Sequence, residues 1–157
     1  MKPSRTNPPS INPAFAAFPL RVRRSRVHRW GVFAVRRIPS GRKVIEFAGE
    51  RISRRVALSR LKLRLRPGRP HFDMFRLDSY WRIDPVFGGS GAELINHSCA
   101  PNLRARIVRG HILFFSRRRI RAGEELSLDY RISPDTFRVR CRCGAPNCRG
   151  FLNISAS

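Results

Sequence analysis

The chain has little negative charge to offset its positive charge: ten Asp or Glu stand against 33 Lys or Arg among 157 residues, a formal charge of +23. Lysine is nearly absent too, with only Lys2, Lys43 and Lys62 present, so the excess is almost entirely arginine. No apolar run approaches the roughly 18 residues of a membrane span, and residues 1–19 hold no apolar core of secretory-signal length. A soluble, intracellular protein with no membrane partner is expected. Cysteine is limited to four residues, and an even count in a reducing compartment points to metal before disulfide.

At this length the chain can bury one sizeable core but not two. A field this basic attracts polyanions, nucleic acid or a nucleic-acid-bound protein first among them. A merely solvated surface, set by arginine-rich coding bias, explains the composition equally well.

Residues 1–20 carry five prolines among Ser, Asn and Ala and are expected to form a flexible tail. From Leu20 onward, short strand-like runs such as 31–35 and 43–47 alternate with Gly and Pro. One helix is expected, capped by Ser53 and carrying Val56, Leu58, Leu61 and Leu65 to a stop at Pro67-Gly68, with a basic outer face. Strands follow at 72–77 and 80–84, then a hairpin over 103–115 turning at Arg109-Gly110. The pattern Phe33-x-x-Arg36-Arg37-Ile38-x-x-Gly41 returns 82 residues later as Phe115-x-x-Arg118-Arg119-Ile120-x-x-Gly123. Two similar strand–turn–strand units in one mostly β domain are therefore expected.

Three cysteines, Cys141-x-Cys143-x4-Cys148, can wrap a tetrahedral zinc but leave one position open. Cys99, 42 residues upstream in Asn96-His97-Ser98-Cys99-x-Pro101-Asn102, can close it. The zinc would be structural, pinning the C-terminal loop to the 96–102 segment. A finger-type nucleic-acid binder does not fit, because no second ligand pair follows a recognition helix. The segment Glu124-Glu125-Leu126-Ser127-Leu128-Asp129-Tyr130 reads on its own as an ordinary strand end.

In chain order, however, Trp30-Gly31-Val32-Phe33, Phe47-x-Gly49-Glu50, Asp84 five residues before Gly89, Asn96-His97-Ser98-Cys99-x-Pro101-Asn102, Glu125-Leu126-x-x-Asp129-Tyr130 and Cys141-x-Cys143-x4-Cys148-x-Gly150 resemble the SET-domain protein-lysine methyltransferases with a post-SET zinc loop. The resemblance spans about residues 20–153. It implies a SET-domain fold, mostly β with several small sheets, few short helices and a pseudo-knot, followed by the C-terminal zinc-binding post-SET loop. The division would be a tail at 1–20, the SET domain at 21–133 and the zinc loop at 137–153.

The resemblance further implies S-adenosyl-L-methionine as methyl donor and a protein lysine as acceptor. Trp30 and Gly31 would hold the methionine part of the donor through backbone groups. Asn96 and His97 would meet its polar and adenine ends, and Phe151 and Leu152 would cover the adenine. Tyr130 matches the catalytic tyrosine, as orienter and electrostatic stabiliser. Leu128 and Trp81 would line the lysine channel, and Leu128, standing where the family carries Phe or Tyr, favours more than one methylation. Arg29 replaces the first glycine of the family's Gly-x-Gly, so strain is expected if its φ is positive; Ser90 replaces an Asn and Glu93 an Arg. A target lysine on a basic protein would be repelled by +23 unless nucleic acid screened the encounter, which suggests a chromatin-like, histone-like or ribosomal substrate with Arg117, Arg118 and Arg119 on phosphates. The alternative is a SET-like module that binds zinc, a partner or nucleic acid without catalysis. The compact, arginine-rich make-up suits a bacterial protein of the cytoplasm or nucleoid, with export to a host left open.

Overall fold

Branched and aromatic residues alternate with polar ones along most short runs, and the chain folds accordingly into strands of two to six residues. The structure, a computed structural model, describes residues 9–64 and 74–155. In order these contain β1 (Leu20–Arg24), β2 (Trp30–Ala34), β3 (Lys43–Phe47), β4 (Glu50–Ser53), α1 (Arg54–Arg64), β5 (Phe75–Arg76), β6 (Trp81–Asp84), β7 (Asn96–His97), β8 (Leu103–Val108), β9 (His111–Ser116) and β10 (Ser127–Leu128). Among the described residues β1 pairs with β2, β9 lies between β3 and β8, β6 lies between β4 and β5, and β7 runs parallel to β10. Among the described residues the fold is mostly β with one short α-helix, as expected.

The core lies where these sheets meet. In β9, Ile112, Phe114 and Ser116 are buried while their neighbours are more exposed, the period of two that a half-buried strand requires. Phe114 forms an aromatic cluster with Phe47 and Phe75, at centroid separations of 5.3 to 6.1 Å.

The 82-residue echo is realised as a near two-fold pair. Ile38 and Ile120 exchange reciprocal backbone hydrogen bonds of 2.9 Å at its centre. Outward from there, the Ala34 amide donates to Glu124 O at 3.0 Å, and the equivalent Ser116 amide donates to Arg42 O at 2.9 Å. Gly123 N donates to Ala34 O at 2.7 Å, and Gly41 N to Ser116 O at 2.9 Å. The pairing Phe33↔Glu125 is likewise matched by Lys43↔Phe115. Gly41 and Gly123 both turn at positive φ, 73° and 80°, where a side chain would be strained. Each unit thus satisfies the backbone of the other, and both isoleucines are wholly buried.

Residues 9–20, expected to be tail, lie against this core. Ile11, Ala16, Phe18 and Leu20 pack on it, Asn12 N donates to Ser90 O at 2.9 Å, and Ala17 N donates to Val44 O at 2.9 Å. The four apolar residues repay ordering that the polar composition alone could not, and prolines lower the entropy lost on folding.

Ser53 caps α1 as expected, its Oγ accepting from Val56 N at 3.3 Å. The expected stop at Pro67-Gly68, Leu65, and the start of the 72–77 strand lie outside the described residues. The helix is only partly the basic surface that was expected, because Arg60 and Arg64 turn inward onto Asp84. That carboxylate has no solvent exposure and accepts from Arg60 at 2.7 Å, from Arg64 at 2.9 and 3.0 Å, and from Val86 N at 3.2 Å. Burial favours its neutral form, but the bonds from Arg64 and Arg60 prevail and hold its pKa below the usual carboxylate value.

Ile38→Ala and Ile120→Ala should each cost about 2–5 kcal/mol in urea denaturation; the double variant should depart from the sum by roughly 0.5 kcal/mol or more, since the residues touch. Simple additivity would contradict the shared centre. For Asp84, the folded pKa is depressed, so the unfolded chain binds more protons once pH falls below the ordinary carboxylate range. Its stabilisation is complete above that range and is lost as pH falls through the lowered pKa. Asp84→Asn should therefore lower thermal stability at neutral pH and flatten the loss of stability below about pH 4. An unchanged acid limb would assign that limb elsewhere.

Candidate functional site

The site is built where β7 meets β10. Asn96 pairs with Ser127 and His97 with Leu128, in parallel, and Ser98 N donates to Leu128 O at 3.0 Å. Parallel neighbours cannot be joined by a tight turn, and here the connection is the whole β8–β9 hairpin. Buried Asn102 fastens the crossing. Its amide donates to Glu125 O at 2.8 Å and Glu124 Oε1 at 3.0 Å, and its oxygen accepts from Ser127 N at 2.9 Å.

Around this crossing the side chains are heavily committed. The Asn96 amide nitrogen donates to Trp30 O at 2.9 Å and Glu125 Oε1 at 2.8 Å, tying β7 to the start of β2. Glu125 also accepts from Ser25 Oγ at 2.7 Å. A Cβ at Gly31 would lie 2.3 Å from Glu125 Oε1, so a larger residue there would have to displace a carboxylate that Ser25 and Asn96 hold in place. Arg29 adopts φ 37°, the left-handed region in which an L side chain is strained by about 1–2 kcal/mol. The strain expected from its replacement of a glycine is therefore present. Ser90, by contrast, is well accommodated: its hydroxyl donates to Glu46 O at 2.6 Å and accepts from Ala48 N and Ala92 N at 3.4 and 3.3 Å. Glu93 accepts from Gly91 N at 2.9 Å.

Tyr130 follows β10 and donates its hydroxyl to Ile95 O at 2.9 Å, next to Asn96. Its backbone amide donates to His97 Nδ1 at 3.1 Å. Nδ1 therefore carries no proton, and the ring proton is on Nε2, which points at Cys99 Sγ 3.4 Å away. Burial pushes the His97 pKa down to about 4, which agrees with this neutral tautomer. Both ring nitrogens are thus used within the protein, as a link from Cys99 to Tyr130.

The four cysteines come together: Cys99, Cys141, Cys143 and Cys148 present Sγ atoms that all lie within 4.8 Å of one another. Cys99 Sγ is 3.8 Å from Cys141 and 3.9 Å from Cys148. Tetrahedral thiolates about 2.3 Å from a zinc are about 3.8 Å apart, so the donor set fits that ion. Cys99 N points at Cys143 Sγ at 3.5 Å, and Gly150 N at Cys148 Sγ at 3.4 Å. Burial pushes the Cys141 thiol up; it opposes the Cys143 thiolate too, but backbone amides and neighbouring thiols bring Cys143 down to about 6. A cation among them would let all four ionise.

Arg149, between Cys148 and Gly150, was not singled out by sequence. It grips Asp129 through two bonds of 2.7 and 3.0 Å and donates to the carbonyls of Phe151, Leu152 and Asn153 at 2.8 to 3.0 Å. Burial would raise the Asp129 carboxyl, yet Arg149 holds it below its usual value. One arginine among so many carries no signal of its own; its place inside the cysteine motif was the available clue. Phe151 has the Arg138 guanidinium 4.0 Å over its ring, and Leu152 N donates to Val139 O at 2.9 Å. Both residues follow the three-cysteine loop directly. Leu128 is buried in β10 against His97. Trp81 stands on β6 in a different sheet, with Arg51 4.5 Å over its ring and Tyr80 against its edge.

Comparison with known proteins agrees with this geometry. Residues 29–131 match the family model for the SET domain. Relatives named "Histone-lysine N-methyltransferase, H3 lysine-4 specific" are 43% identical over 82% of this chain in Schizosaccharomyces pombe and 41% identical over 86% in Saccharomyces cerevisiae. "Histone-lysine N-methyltransferase set-2" of Caenorhabditis elegans is 36% identical over 85%. The chain spans only 14%, 13% and 9% of the length of these relatives, respectively. With a SET-domain match over residues 29–131 and a crossing of β7 and β10 that carries both of its signature segments, the chain belongs to the SET-domain family.

Proposed function

We propose that the chain transfers a methyl group from S-adenosyl-L-methionine to the ε-amine of lysine in a histone-like protein. The observation that carries this reading is the Tyr130 hydroxyl, anchored on Ile95 O beside the Asn96–Trp30 contact at the crossing of two distant segments. The family match and the histone-lysine methyltransferases among the relatives support it. The donor, when bound, supplies an electrophilic methyl on a sulfonium. Backbone groups at Trp30-Gly31 with Asn96 and His97 would hold it, and Phe151 and Leu152 would cover its adenine. The carbonyl oxygens at this crossing suit a sulfonium methyl, whose C–H bonds are polarised.

The protein's own task is positioning. A lysine amine has an ordinary pKa near 10.4 and must be neutral to attack, which an apolar channel promotes by desolvation. Since the Tyr130 hydroxyl gives its proton to Ile95 O, its oxygen serves as an acceptor that orients the amine. Leu128 offers no hydroxyl to hold a water at the amine, so space remains for successive methylations. A substrate held on nucleic acid would escape repulsion by the +23 charge. The strained Arg29 is the feature that favours the rival reading of a non-catalytic module.

Zinc in the four-cysteine cluster would be structural, since four thiolates leave no open position for chemistry. Through Cys99–His97–Tyr130 and Arg149–Asp129, it would brace the C-terminal cover against the catalytic strand.

In radiolabelled transfer to a histone mixture, Tyr130→Phe should lose about 10²-fold or more in rate with unchanged melting. Mass spectrometry of the product should show di- or trimethyl-lysine, and Leu128→Tyr should shift it toward monomethyl. A wild type that binds no methyl donor in calorimetry would hand the case to the rival. Chelation or Cys148→Ser should raise hydrogen exchange over residues 141–153 and weaken donor binding while the strand core stays folded; global unfolding would show that the metal supports the whole domain.

A further inference from the structure

Most of the fold's carboxylates are spent on internal bonds: Asp84 on two arginines, Asp129 on Arg149, Glu125 on Ser25 and Asn96, Glu46 on His111. Exposed arginines occur over much of the surface, and one group of them lies where the two echoing units pair. Arg36 and Arg37 precede Ile38, and Arg118 and Arg119 precede Ile120, so the reciprocal Ile38–Ile120 bonds bring the two runs to either side of one near two-fold centre. All four are exposed, as are Arg117 and Arg121. Arg42 and Lys43 extend the same exposed edge, with Arg42 N bonded to Ser116 Oγ at 2.9 Å. Glu124, bonded to Arg118 at 2.6 Å, is the acid at this face.

We infer that this face binds the phosphate backbones of double-stranded DNA. A B-form duplex presents a negative charge about every 1.7 Å along its axis, in two strands, and two arginine runs flanking a near-dyad suit such an array. Arginine pairs with phosphate through two parallel N–H bonds, which lysine cannot do. The choice of DNA over other polyanions rests on the reading that the substrate is a histone-like protein. Strand β2 leads from this face to the candidate site: Arg36 lies two residues past the end of β2, and from it back to Trp30 is six residues, at most about 20 Å of chain. DNA held here would lie beside the site without blocking it, and about six extended residues of a DNA-bound substrate would bridge the gap.

The test is fluorescence anisotropy of a labelled short DNA duplex with the full chain and no methyl donor, across a salt titration. The variant R36Q/R37Q/R117Q/R119Q leaves Arg118 on Glu124 and should bind about tenfold or more weakly, with the salt slope reduced by about one for each phosphate no longer neutralised. A control removing the same charge elsewhere, R54Q/R55Q/R76Q/R109Q, on α1, on β5 and at the far tip of the β8–β9 hairpin, should change binding far less, and both should melt like the parent. Equal weakening in the two variants would show diffuse attraction and overturn the proposal. So would absence of DNA binding, or tighter binding to phosphatidylserine vesicles than to the duplex. Because neither donor nor methyl transfer is needed, failure here leaves the enzymatic reading untouched, and failure of that reading leaves the binding result intact.

Discussion

The parallel contact between β7 and β10 is the constraint on which the site depends. It spans only two residue pairs, yet it sets Asn96 and His97 beside the strand that leads to Tyr130. So short a ladder contributes little by itself, and the fold reinforces it with buried side chains. Asn102 supplies three hydrogen bonds to the β10 segment, and Asn96 reaches across to β2. An unsatisfied buried amide is costly, so these residues specify one register as well as stabilising it.

From that crossing the C-terminal loop acquires its role. Cys99 is two residues beyond His97, so drawing the four thiols together draws the loop onto the site. The imidazole of His97 and the carboxylate of Asp129 then become two parallel connections, one ending on a cysteine and the other on Arg149. A structural metal placed there would act on the site through geometry alone, by holding Tyr130 and the segment carrying Phe151 and Leu152.

Much of this was legible in sequence, for identifiable reasons. The cysteine set was readable because metal spacing is local for three ligands and leaves one obvious fourth. The echo was readable because glycine at a positive-φ turn and isoleucine at a wholly buried point leave few substitutes. Residues 9–20 misled because proline and polar composition hid four well-spaced apolar contacts. What the His97 ring touches was not legible: it faces a cysteine and a backbone amide. Arg149 and the buried Asp84 clamp were hidden by the sheer number of arginines.

The sequence by itself determined the class of fold, and it also marked the four cysteines that come together and the tyrosine just beyond β10, since these rest on residue types whose chemistry has few alternatives. Only the tertiary structure decided which arginines are consumed by carboxylates and which remain on the surface. It also decided that the two halves of the echo satisfy each other's backbone, and that Gly31 packs directly over the Glu125 carboxylate. The physical reason is range: turn conformation and ligand chemistry are local, whereas ion pairing and close approach join residues 20 to 100 positions apart.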